Sequence, residues 1–167
     1  SGYDKLAHWA FFDVGPWGSG HQHQDKLHLS ISAYGYDFLV DSGRFAYKGV
    51  VADKFRSFAR GSSAHNVVLI DNKNQSPGPE KTLSPQSIDK YRITENYDYA
   101  FGTFNNFIEL KGEAEHTRAL FYLRDQFWLV LDHISTDRPR NLKFLWHWHP
   151  KCRVIQESIN TRGVVDK

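Results

Sequence analysis

Cysteine occurs once in 167 residues, at Cys152, which excludes an internal disulfide and leaves the redox compartment unmarked. Long apolar runs are missing too. No stretch of about 18 apolar residues is present to span a membrane as a helix, so no membrane partner is expected, and the first residues lack the charged-then-apolar pattern of an export signal. Nor does one sign of charge dominate: 21 Lys and Arg against 19 Asp and Glu give a formal charge of +2. That balance does not call for nucleic acid as a partner, and it is compatible with an acidic carbohydrate. Aromatics, at 15 % of the chain, are the abundant class, an excess that serves core packing or stacking on sugars.

The length suits one domain, 1–167, with a substantial core. Short alternating segments recur along it, at Ala7 to Asp13, Leu27 to Ser32, Tyr36 to Val40, His65 to Ile70, Tyr97 to Phe104, Phe107 to Leu110, Glu115 to Leu123, Phe127 to Ile134 and Asn141 to His149. Turn signals separate them, at Tyr34-Gly35, Arg124-Asp125 and Asp137-Arg138-Pro139. Many closely spaced strands without a long helical period predict an all-β fold, an antiparallel β-sandwich. Lys54 to Arg60 reads as a short helix or a basic loop, and Asn72 to Gln86 as the one long loop.

The run GSGHQHQDKL, Gly18 to Leu27, carries the chemistry. If it is extended, His21 and His23 lie two apart and point the same way into a common pocket. Asp41 ends the partner strand of the following hairpin, where it would meet His23, and His65 arrives from a separate strand. Two imidazoles and a carboxylate with room for a water are donors that suit Zn2+, and the remaining histidine can then do chemistry beside the ion. Cys152 is expected to be a buried, inert thiol. His147 and His149 alternate with Trp146 and Trp148 in WHWHP, but no nearby acid completes a second metal set. Arg44 is a candidate for a substrate carboxylate or sulfate, and Tyr47 for stacking or proton transfer, against the ordinary roles of local pairing and packing. Asp25 and Asp132 are expected to serve hydrogen bonding and turn structure.

GxGHxHxDKL, then LVDSGRxxY, then SSAHNVVxID, together with HTRALFYLRDQFWLVLDHI running into FLWHWHP, resemble the heparinase II/III-like polysaccharide lyases over most of the chain. The resemblance implies a C-terminal β-sandwich domain whose N-terminal helical (α/α) toroid is not part of this sequence, the substrate cleft lying between the two. It implies His21 as the catalytic histidine and His23, Asp41 and His65 as zinc ligands. That family's catalytic tyrosine and the toroid residue that neutralises the uronate carboxylate have no counterpart here. By the same resemblance the substrate is a uronic-acid polysaccharide, of the heparin, heparan sulfate or alginate kind, and the setting is bacterial, periplasmic or secreted.

The chemistry so implied is β-elimination, which needs the uronate charge neutralised, a base within reach of the C5 proton and an acid for the departing O4. A neutral histidine is a competent acceptor at pH 7, and that is the role expected of His21. The isolated domain is expected to be inactive. Two rival readings come from other classes. A cupin-type metalloenzyme would carry a glutamate four or five residues after its HxH pair, where this chain has Leu27 and His28. A non-catalytic carbohydrate-binding or structural β-sandwich would hold a purely structural zinc.

Overall fold

A computed structural model describes residues 4–17, 20–43, 48–78, 90–157 and 160–165, with side chains as far as 155. Arg44 and Tyr47 lie outside the described residues.

One layer begins with β1 (Trp9–Phe12), β2 (Leu29–Ala33) and β3 (Tyr36–Leu39), paired antiparallel in that order. Period-two alternation buries Leu29, Ile31 and Ala33 of β2. The β2–β3 hairpin turns at Tyr34 and Gly35, both at positive φ (53° and 81°), the conformation that matches the right-handed twist of the strands it joins. β4 (Val68–Ile70) pairs with β9 (Leu142–Phe144), and the chain running on from β9 meets β3, with Val40 N–H on the His147 carbonyl and His149 N–H on that of Phe38, both at 2.9 Å. The other layer is a four-stranded antiparallel sheet, β5 (Tyr91–Ile93), β6 (Tyr97–Phe104), β7 (Ala114–Leu123) and β8 (Phe127–Thr136). Between the layers, Leu29, Ile31 and Leu39 pack on Leu120, Trp128 and Val130, while Leu27, Val68 and Ile70 meet Phe104, Phe107 and Ala114. This is the expected β-sandwich. β10 (Cys152–Glu157) and β11 (Asn160–Val165) form a separate hairpin.

The helix α1 (Val50–Arg60) starts after Gly49 and stops at Gly61, whose N–H donates to the Phe58 carbonyl at 2.9 Å. Its buried residues, Ala52 and Ala59, are small, so the helix lies close to the body. A 3-10 turn, Ser62–Ala64, then delivers His65 to the core.

Three details depart from the sequence reading. Phe107 to Leu110 is a turn rather than a strand: Glu109 takes a left-handed φ of 55°, and only Phe107 bridges, to Gln75. The strand beginning at His65 is regular only from Val68, because His65 caps the 3-10 turn. Cys152 is partly rather than fully buried, its Sγ 3.7 Å from the Asp37 carbonyl, and desolvation pushes its thiol pKa up.

Candidate functional site

Gly20 and His21 take successive positive φ values, 94° and 56°. Glycine enters that region without steric cost, and histidine is among the side chains that tolerate it. The resulting bend puts His21, exposed, at a cleft of about 280 Å³ lined also by His23, Asp25, Lys26, Asp13 and Trp17. Lys26 is committed to structure: its Nζ donates to both Asp13 oxygens (3.0 and 3.1 Å) and to the Gly15 carbonyl (2.9 Å). Burial pushes the Asp13 carboxyl up even beside that ammonium.

The loop is fastened from behind. Gln24 N–H reaches the Arg60 carbonyl at 2.9 Å, Arg60 Nε and Nη2 donate to the Gln22 carbonyl at 3.1 and 2.8 Å, and Ser62 Oγ donates to the Gln24 carbonyl at 2.6 Å. The fully buried Gln75 clasps Lys26 from both sides, accepting its N–H at 2.7 Å and donating to its carbonyl at 2.9 Å.

His65 is fully buried, and its Nδ1 lies 2.6 Å from Asp41 Oδ2 and 4.0 Å from Asp25 Oδ2. The His23 ring is 5.3 Å away between centroids, with His23 Nδ1 3.9 Å from Asp25 Oδ2. The structure thus brings His23, Asp41 and His65 together from three separate segments, and His21 shares a cleft with His23. The Asp41 carboxylate meets His65 instead of crossing the hairpin to His23, and Asp25, read as a turn residue, joins the cluster. Burial raises the Asp41 pKa, but the hydrogen bond and charge of His65 outweigh it, with His28 and the Gly43 N–H adding, so the carboxyl stays below its ordinary value. Burial lowers the His23 pKa, against the pull of Asp25.

Two triplets have donor atoms within 4.8 Å of one another, His23–Asp25–His65 and His28–Asp41–His65. His28 drops out on its tautomer. Its Nδ1 accepts the Asn66 N–H at 3.0 Å, which places the proton on Nε2, facing Ser30 Oγ at 2.8 Å and Asp41 Oδ2 at 3.5 Å. A nitrogen carrying a proton has no lone pair for an ion. The triplet that remains, His23–Asp25–His65, is a nitrogen and carboxylate donor set of the zinc type, with Asp41 hydrogen-bonded to His65 beside it. His65 Nε2 is buried without a hydrogen-bond partner among the described residues. A buried orphan imidazole nitrogen is costly unless something occupies its lone pair. The residues therefore fit a zinc ion.

Sequence reasoning missed the residues that position this cluster. Asn66 donates to the carbonyls of Leu29 (2.8 Å) and Val40 (3.1 Å), and its Oδ1 accepts from His147 N (2.5 Å) and His147 Nδ1 (3.1 Å). One amide thereby links the neighbours of His28, Asp41 and His65. His147 is a support for that amide, held below the ordinary histidine pKa mainly by burial, and His149 Nδ1 accepts from Lys151 N–H at 3.2 Å. Asp132 holds Arg118 and His116 in the core.

No curated protein matches the sequence. A family model described as heparinase II/III-like, C-terminal, matches residues 2–165. Among solved structures, heparan sulfate lyase HepC from Pedobacter heparinus superposes with a TM-score of 0.70 at 22% identity, over 92% of this chain and 23% of that one. A heparinase III gene product gives 0.67 at 23% identity, over 92% and 22%. The chain thus spans less than a quarter of the length of these lyases.

Proposed function

Because the chain belongs to the heparinase II/III-like family, matching its C-terminal domain, we propose that it is the β-sandwich portion of a polysaccharide lyase. The substrate in this reading is a uronic-acid glycan of the heparin, heparan sulfate or alginate kind, and cleavage is by β-elimination. The observation that supports it beyond the family match is that His21 shares a cleft with His23, whose ring lies 5.3 Å from that of the buried His65 paired with Asp41.

In this mechanism His21 takes the proton from C5, the electron pair forms the C4–C5 double bond, and the C4–O4 bond breaks as a proton is delivered to the leaving oxygen. Its left-handed backbone position, between Gly20 and the fastened Gln22, sets the imidazole at the cleft. His23, Asp41 and His65 would hold a zinc ion, with Asp25 alongside. That ion supplies rigidity and a positive local field; elimination consumes no water for it to activate. The acid for O4 and the group that neutralises the uronate belong, in this reading, to an N-terminal helical toroid of the same polypeptide, so the isolated domain is inactive. The parent enzyme is bacterial and periplasmic or secreted, where such glycans are met.

The test is the ultraviolet absorbance of unsaturated product from a longer protein that includes the toroid, assayed on heparan sulfate, heparin and alginate. Product is expected with the native sequence and none with His21→Ala at unchanged metal content. Full activity of His21→Ala would sink the assignment.

A further inference from the structure

The glutamines of the HQHQ run remain outside the chemistry described so far. Gln22 lines the His21 cleft and also a second, larger one, about 560 Å³, on the far side of the loop. The floor of this second cleft is α1, which presents Arg56 and Arg60 one helical turn apart on the same face. Ser57 lines the cleft from α1, and Gln22, Gln24 and Asn74 line it from outside the helix. Arg60 spends Nε and Nη2 on the Gln22 carbonyl, which fixes the plane of its guanidinium and leaves Nη1 with no partner among the described residues. A carbonyl partner leaves the Arg60 guanidinium charge unneutralised, and Arg56 and Asp53 line the same cleft.

We propose that this cleft is an anion subsite that takes the sulfate or carboxylate of an acidic sugar, with Arg56 and Arg60 as the recognising cations and the amides of Gln24 and Asn74 for ring hydroxyls. The identity of the ligand rests on the lyase reading above; the site itself rests on the cleft. Planar guanidiniums match the two-oxygen edge of a carboxylate or sulfate and are more easily desolvated than an ammonium. The walls offer side-chain amides, hydroxyls and guanidiniums, with Pro77 as the one apolar lining residue, so an apolar ligand finds little to bury. The volume falls in the range of small-molecule sites and suits a short piece of glycan. Because Gln22 borders both clefts, one chain of sugars would pass from the α1 side to His21, and α1 would read the charged substituents beyond the scissile bond.

The experiment is calorimetric titration of the 167-residue chain with a heparin hexasaccharide and with its desulfated, N-acetylated counterpart, for the native sequence, Arg56→Ala and Arg56→Lys. Arg56→Ala is expected to weaken heparin hexasaccharide binding by about tenfold or more, the effect of one charge-assisted contact, and Arg56→Lys to recover only part of it. A preference for the sulfated probe assigns the anion as sulfate, and equal binding of both assigns it as carboxylate. Native affinity in Arg56→Ala, with an unchanged melting temperature, overturns the proposal. If Arg56→Ala does not fold, hydrogen exchange on the native chain decides: slowed exchange in 53–61 on adding the hexasaccharide supports the subsite, and unchanged exchange there overturns it. These outcomes do not depend on elimination, so binding at the subsite together with no unsaturated product from the longer, toroid-containing protein would leave this inference standing and remove the lyase reading.

Discussion

Arg118, on the inner face of one sheet, reaches across the sandwich and donates from Nη1 to the carbonyl of Asn66 at 2.7 Å. The same nitrogen reaches the Leu27 carbonyl at 2.9 Å, while Nε and Nη2 pair with the two oxygens of Asp132 at 2.7 and 3.2 Å. The guanidinium also lies over the Trp146 ring, 4.7 Å from its centroid. Leu27 precedes His28 and Asn66 follows His65, so one fully buried cation ties both sides of the candidate site to the four-stranded sheet.

Replacing Arg118 with Met keeps bulk but strands a buried carboxylate and leaves two carbonyls without donors. Loss of one partner of a buried pair costs about 3–5 kcal/mol. Arg118→Met is therefore expected to lower the urea midpoint strongly at pH 7, and a loss under about 1 kcal/mol would show that water replaces the guanidinium.

His28 sets a pH dependence. Burial lowers its pKa to about 4, against the pull of Asp41, while the unfolded chain titrates near roughly 6.5. Between these values the unfolded state binds the proton and the folded state does not. Stability is thus complete above about pH 6.5 and falls as pH drops toward 4, by on the order of 3 kcal/mol from this residue alone. His23 and His147, also lowered by burial, add to the slope with the same sign. In the metal-free chain, His28→Asn, whose Oδ1 can still accept the Asn66 N–H, should flatten the stability curve between pH 6.5 and 4 without abolishing it. An unchanged slope would mean that another group carries the effect.

How far the sequence announces this arrangement differs from element to element. Tyr97–Phe104 and Phe127–Thr136 were legible because aromatic and β-branched residues are frequent in them between clear turns. The stretch at Cys152 read only as strand-like and Asn160–Val165 was missed, since CRVIQE and NTRGVV have no clean alternation. α1 was ambiguous because its buried side is two alanines, too small to mark an apolar stripe. At the site, the motif spacing brought out His21, His23, Asp41 and His65, but Asn66 and Arg118 were invisible. In AEHTRALFYL both faces of β7 carry apolar residues, so nothing local tells that Arg118 points inward. Its inward position depends on Asp132, fourteen residues away on the next strand.

Gly102 marks a close approach between the layers. A Cβ there would lie 2.8 Å from Leu27 Cδ2 and 3.0 Å from Val14 Cγ1, too near for either to stay in place. Gly102→Ala is expected to cost about 1–3 kcal/mol by overpacking. Because the clash is with Leu27, the double variant Gly102→Ala, Leu27→Ala should lose less than the sum of the two single losses. Strict additivity in thermal melts would show that the strain is taken up by Val14 or the backbone instead.

The metal assignment separates two carboxylates that stand on either side of His65. Asp41 Oδ2 is 2.6 Å from His65 Nδ1 and Asp25 Oδ2 is 4.0 Å from it; the first distance is that of a hydrogen bond, which puts the His65 proton on Nδ1 and leaves Nε2 as the nitrogen open to an ion. If zinc is bound by His23, Asp41 and His65, elemental analysis of the purified chain should give about one zinc per molecule, lost in His23→Ala, Asp41→Asn and His65→Ala and kept in His21→Ala, His28→Asn and Asp25→Asn. Chelation should also lower stability, by about 3 kcal/mol when free zinc had stood a hundredfold above its dissociation constant. Zinc retained by Asp41→Asn but lost from Asp25→Asn would move the ligand role to Asp25 and leave Asp41 as the hydrogen-bond partner that orients the His65 ring. No zinc in the native chain, with His65→Ala no less stable than it, would mean that the buried pair is purely structural, and would favour a carbohydrate-binding sandwich over a lyase.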